Sequence, residues 1–153
     1  MSTEQPEGWQ REPADPDLAD VVESRVILLV VLALGGAIGA GARYAAGLAW
    51  PTPSGAFPWT TVVINVVGCA LMGALMVLTH ERFATPPWLR PFLGTGVLGG
   101  FTTFSTYAVD VDRLGRSDSV PTAAATFVLT LVLAVFAVWA GATATRSLTR
   151  RRP

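Results

Sequence analysis

Nine consecutive residues concentrate the chemistry of this chain: Gly99-Gly100-Phe101-Thr102-Thr103-Phe104-Ser105-Thr106-Tyr107. They lie inside an apolar span from about Phe92 to Leu114, centred near Thr103. Glycine is a poor helix former, and Ser and Thr offer the backbone alternative hydrogen bonds. Non-helical backbone at membrane depth is stable only when buried in protein or lining a wet cavity. A helix broken there releases carbonyls and amides that can bind ions. The stretch therefore reads as helix–break–helix around an ion site.

Three further positions have chemistry out of keeping with their surroundings. Asn65 sits alone in an apolar run, and an unpaired buried amide costs several kcal/mol, so it must face protein or water. It serves either a helix–helix hydrogen bond or a functional site. Arg43 interrupts another apolar run near its end. It either snorkels to the interface or holds its charge in an aqueous vestibule, where it would attract anions. Thr122, Thr126 and Thr130 follow at four-residue steps, which puts three hydroxyls on one helix face. Each alone could bond back to its own helix.

The elements that must position these residues are four apolar runs: about Val26 to Trp50, Trp59 to Thr79, Phe92 to Leu114 and Val120 to Ala144. Each is long enough to cross a hydrocarbon core of about 30 Å. Of 153 residues, 51% are hydrophobic and 14% charged, and nearly all the charge is placed outside the runs or at their ends, with Asp110, Asp112, Arg113, Arg116 and Asp118 marking the third loop. The chain reads as an all-α membrane protein of four transmembrane helices, the third broken at mid-membrane. Residues 25–146 form one domain. Residues 1–24, with seven acids, three prolines and one arginine, form a disordered acidic tail, and 147–153 a basic tail. The start lacks the positive region of a signal peptide. Gly35-xxx-Gly39 is a small-xxx-small pair that lets helices approach closely. Cys69 is a single cysteine, so no internal disulfide exists, and with His80 it is too little for a zinc site. No basic patch with interleaved aromatics points to nucleic acid. With Asp110 and its neighbours in a loop, no acid lies inside a span for proton coupling. Four short helices enclose little of a pathway, so an oligomer is expected.

Together these residues resemble the Fluc (CrcB) family of fluoride channels. The resemblance covers about Leu32 to Trp139 and rests on three pieces in order. They are Gly35-Gly36-Ala37-Ile38-Gly39-Ala40-Gly41-Ala42-Arg43-Tyr44, Thr61-Val62-Val63-Ile64-Asn65-Val66-Val67-Gly68 and Gly99-Gly100-Phe101-Thr102-Thr103-Phe104-Ser105-Thr106. The resemblance implies an antiparallel dimer with two fluoride pores and a structural sodium ion held by main-chain oxygens of Gly99 and Thr102. It implies Asn65 and Phe104 as pore residues, with Ser105 and Thr106 beside them and Thr126 and Thr130 continuing a hydroxyl track. Conduction would be passive, with amide donors and positive ring edges replacing water around the ion. The family has a second Phe where this chain has Tyr107. The phenol keeps the ring edge and adds a hydroxyl, so Tyr107 either lines a pore or marks a subunit whose contribution to one is impaired. Thr126 stands where the family often has a tyrosine.

Orientation follows from arginine placement, because Lys/Arg bias sets topology. Arg25, Arg82, Arg90, Arg146, Arg150, Arg151 and Arg152 fall on the side of the termini, against Arg43, Arg113 and Arg116 on the other. The bias predicts both termini in the cytoplasm, in the plasma (inner) membrane. A subunit of one orientation needs an oppositely oriented partner, so a heterodimer with a paralogue stands beside a homodimer. A small multidrug-type exporter shares the layout but needs an embedded Glu. A non-conducting partner or scaffold subunit would explain Tyr107, though not Asn65 and the Gly-Gly break.

Overall fold

The computed structural model describes residues 16–117 and 119–150, with side chains from Ser24 onward, Arg82 excepted. Helix α1 spans Pro16–Ala49 and α2 spans Trp59–Val77, which runs on as a π-helical turn Leu78–Arg82. A π-helical segment Pro91–Leu98 leads into α3, Gly99–Phe101. After an interruption come α4, Ser105–Arg116, and α5, Val120–Thr149. Among the described residues every regular element is helical. Three stretches, Ser24–Ala49, Trp59–Glu81 and Val120–Thr149, are long and apolar enough to cross a membrane.

Two boundaries differ from those expected. Helix α1 begins at Pro16, inside the stretch read as an acidic tail. Proline suits a first helical position. The rest of the expected tail, 1–15, lies outside the described residues, as do 151–153 of the basic tail. The second correction concerns the third loop. Asp110, Asp112, Arg113 and Arg116 belong to α4, and Asp118 lies outside the described residues. Asp112 and Arg116 form an exposed i,i+4 pair at 2.8 Å, a spacing that supports a helix surface.

The expected break is present. α3 ends at Phe101, and Thr102 turns to φ −70°, ψ 156° before α4 starts at Ser105. Two close helix pairs frame it. α1 lies along Pro91–Leu98 and α3, and α2 lies along α5. The first pair is closed by the Gly35-xxx-Gly39 motif. A Cβ at Gly35 would come within 2.9 Å of Gly96 Cα, and one at Gly39 within 2.8 Å of Phe101 N. Backbone thus meets backbone, which no other residue type permits. In the second pair Gly73 abuts Val138 and Ala142, and Gly141 abuts Ala70. Much of the apolar surface stays outside this packing: only 11% of the most apolar window of α1 is buried, and 22% of that of α5. Lipid or another subunit must cover the remainder.

Candidate functional site

The break is made by side chains that divert backbone donors. In a continuous helix each carbonyl i accepts the N–H of residue i+4. Thr102 N still donates to Leu98 O at 2.9 Å. Thr103 N instead donates to Asn65 Oδ1 at 2.8 Å, which deprives Gly99 O of its helical donor. Asn65 Nδ2 donates back to Thr103 O at 2.9 Å. Thr106 N turns to Thr103 Oγ1 at 3.1 Å, which deprives Thr102 O in the same way. Gly100 O accepts Arg43 Nε at 3.1 Å. Asn65 and Thr103 are 7% and 8% exposed, so this reciprocal pair is desolvated, and losing either partner would strand a buried polar group at about 1–3 kcal/mol.

The amide of Asn65 therefore does make the interhelical hydrogen bond that was one of its two readings. It accounts for only one of the two N–H bonds of Nδ2, leaving the second for another acceptor. Seating the opposite flank is Gly68, where a Cβ would come within 3.3 Å of the Phe101 ring and overlap the Thr102 methyl. Arg43 is half-buried, with its Nε turned inward onto α3. Its positive charge meets the C-terminal carbonyls of α3, which carry the negative end of the peptide dipoles.

A depression with mainly apolar walls leads to the break. A cavity of about 400 Å³ is lined by Arg43, Tyr44, Ile64, Thr103 and Thr106. A second, of about 590 Å³, is lined by Trp50, Asp110, Arg113 and Ser117 and shares Thr60, Thr61 and Thr106 with the first. Arg43 gives the first cavity a positive charge, which suits an anion, whereas in the second Asp110 stands against Arg113 and offsets its charge. Asp110 lines the wider one, where its carboxylate accepts the Thr61 hydroxyl at 2.7 Å. Sequence reasoning missed Asp110, Thr61 and Thr103. Two spacings could have found the first two. Phe104, Tyr107 and Asp110 follow at three-residue steps, and Thr61 stands one turn before Asn65 on the same face.

The other expected site residues separate into two groups. Phe104 is 74% exposed, with Ser105 and Thr106 exposed beside it. Tyr107 is 2% exposed, donates its hydroxyl to Phe127 O at 3.0 Å, and lies with its ring 5.6 Å from that of Phe104 and 6.0 Å from that of Phe127. Thr126 is fully buried and bonds back to Thr122 O at 2.8 Å. Thr130 is 4% exposed, and its hydroxyl has no partner among the described residues. Within one subunit Phe104, Ser105 and Thr106 are each exposed, whereas Tyr107, Thr126 and Thr130 sit in the packing.

The backbone at the break also fits an alkali cation. The carbonyls of Gly99 and Thr102 are two whose helical donors have been diverted, and hard carbonyl oxygens suit a hard ion. Gly99 is exposed on the subunit surface, where a Cβ would meet only Gly94 O, at 3.6 Å. Among the described residues no group of His, Cys, Asp and Glu could hold a metal ion instead.

Apolar helices around a charged depression that ends at a broken span define a multi-pass membrane protein of the kind that moves small ions. The chain belongs to the family described as CrcB-like protein, Camphor Resistance (CrcB), whose signature matches residues 30–142. It is similar to "Fluoride-specific ion channel FluC 1" of Streptomyces coelicolor, 52% identical over 82% of this chain and 81% of the relative. It is also similar to "Fluoride-specific ion channel FluC 2" of Streptomyces avermitilis, 56% identical over 68% of this chain and 66% of that one. "Fluoride-specific ion channel FluC" of Agrobacterium fabrum is 39% identical over 80% of this chain and 99% of its own length. The family is one of ion channels, so the chain is not an enzyme. Asp110 lies in α4 on the wall of the wider cavity, yet the family match is to ion channels and not to small multidrug-type exporters.

Proposed function

We propose that this chain is a subunit of a fluoride channel, which lets the anion run down its gradient without proton coupling. The observation that carries the reading is the Asn65-held break, with Thr103 on the wall of the cavity that holds Arg43 and Phe104 exposed on the subunit surface, in a chain whose relatives are named for fluoride. Arg43 draws the anion into the depression. The second N–H of Asn65, the positive ring edge of Phe104 and the hydroxyls of Ser105 and Thr106 then replace its water. Thr130, with a hydroxyl unspent within the subunit, and Thr126 continue the track, and Tyr107 backs the Phe104 ring. The complete pore needs a second subunit in the opposite orientation. A two-fold axis in the membrane plane lets midplane residues meet their counterparts, and Gly99 lies exposed for that contact. A sodium ion there, held by Gly99 and Thr102 oxygens, would neutralise the carbonyl dipoles that converge at the axis. Purified protein in liposomes, with any paired subunit included and sodium present, should release fluoride to an electrode at rates far above empty vesicles. Efflux no faster than that of protein-free vesicles would remove the channel reading.

A second subunit of different sequence is favoured by the arginine placement, seven on the side of the termini against three. The same Streptomyces avermitilis strain has relatives named FluC 2 and FluC 3, so more than one such chain occurs in a single organism. In this reading both termini lie in the cytoplasm, and the chain inserts one way into the plasma membrane. Cysteine labelling at the C-terminus should then come from the cytoplasmic face alone. Equal labelling from both faces would make the chain a dual-topology homodimer.

A further inference from the structure

We infer that Asn65 is a positioning residue for the cation site, acting through Thr103, in addition to any contact its amide makes with an anion. The inference rests on the sodium reading above. Carbonyls become ligands only when their helical donors are taken elsewhere, because an oxygen already accepting in a helix has its dipole committed. Asn65 Oδ1 takes the Thr103 N–H that would otherwise close on Gly99 O, and Nδ2 fixes the Thr103 carbonyl against α2. That fixed Thr103 in turn places its hydroxyl under the Thr106 N–H, which frees Thr102 O. One buried side chain thus releases both oxygens assigned to the cation. Arg43 occupies the intervening Gly100 O, so the carbonyls of the break are divided: Gly100 to Arg43, Thr103 to Asn65, Gly99 and Thr102 to the ion. The amide stands between the two functions of the site, with one face toward the cation's backbone and one N–H left over. Loss of flux on substituting Asn65 is therefore not by itself a sign of a lost pore ligand.

The two roles separate in the variants Asn65→Ala and Asn65→Asp. Aspartate keeps an oxygen for the Thr103 N–H but gives up the donor to Thr103 O, whereas alanine keeps neither. The readout is the rise in melting temperature of the purified dimer when potassium is replaced by sodium, which a general loss of stability would not change because it lowers both values together. The unsubstituted protein should show a sodium-specific rise. Asn65→Ala should abolish it or move its sodium midpoint at least tenfold higher, and Asn65→Asp, which still diverts the Thr103 N–H from Gly99 O, should move the midpoint by less than Asn65→Ala does, while both lose fluoride flux. Retention in Asn65→Ala, or equal loss in both variants, would overturn the inference. No sodium effect in the unsubstituted protein would instead sink the sodium reading on which it rests. A measurement without variants covers the case in which they do not assemble. With backbone carbonyls labelled, exchanging potassium for sodium should shift the Gly99 and Thr102 carbonyl resonances and leave Gly100 and Thr103 in place. Shifts at Gly100 and Thr103 as large as those at Gly99 and Thr102 would count against it.

Discussion

Replacing Phe104 by isoleucine should lower fluoride flux by about tenfold or more while the dimer still assembles and melts as before. A tenfold loss corresponds to about 1.4 kcal/mol at the barrier, well within what one lost contact to a desolvated ion is worth. The ring contributes little to the fold of its own subunit, since it is 74% exposed and its ring neighbour is Tyr107, at 5.6 Å between centroids. What isoleucine removes is the positive edge of the aromatic quadrupole, not apolar bulk. Electrode-monitored efflux from vesicles loaded at equal protein density makes the measurement. Flux equal to that of the unsubstituted channel would take Phe104 out of the pore. Phe104 is a cleaner probe than Asn65, because it lies outside the hydrogen-bond network that holds the break.

Gly99→Val should abolish assembly while leaving the subunit helical. Inside the subunit a Cβ at Gly99 has room, with Gly94 O at 3.6 Å as its one near neighbour. The intrinsic cost of valine in a helix is below about 1 kcal/mol and is less than that of the glycine it replaces. The bulk would fall instead where two subunits meet at the break. Size-exclusion chromatography in detergent should then show monomer in place of dimer, with helical circular dichroism retained. A Gly99→Val dimer that conducts normally would argue against a tight central contact. Gly96→Val is the informative contrast. Its Cβ would lie within 2.9 Å of Gly35 Cα, backbone that cannot yield, so that variant should fail to fold rather than fail to pair.

Much of this was legible in the chain because a membrane leaves few choices. Uninterrupted apolar runs have to be helices with internally satisfied backbones, so α1, α2 and α5 could be placed from hydropathy alone. A run holding Gly99, Gly100 and four hydroxyls could not be an ordinary helix, and it breaks at Thr102. The Gly35-xxx-Gly39 spacing likewise announced a close helix contact, which α1 makes with Gly96 and Val97. Local composition sufficed in each case, because the constraint acts on consecutive residues.

What lay beyond the sequence was the choice of partners. Asn65 and Thr103 are 38 positions apart, and Arg43 and Gly100 are 57 apart. No local rule says which carbonyl an inward-turned guanidinium will meet, so Arg43 stood equally well at the interface or in a vestibule until α1 was laid against α3. Asp110 looks like a loop residue because α4 is short and charged, with Asp112, Arg113 and Arg116 exposed. Only its bond to Thr61 shows that the carboxylate belongs to the depression. The threonine stripe of α5 was correctly placed on one face, but which face meets protein was decided by α2 and α4. Sequence by itself determined which segments are long and apolar enough to cross a membrane and where the run between α2 and α5 must break. Tertiary packing decided which donor each freed carbonyl lost and which group replaced it, since hydrogen bonds between distant residues exist only once the helices that carry them are in contact.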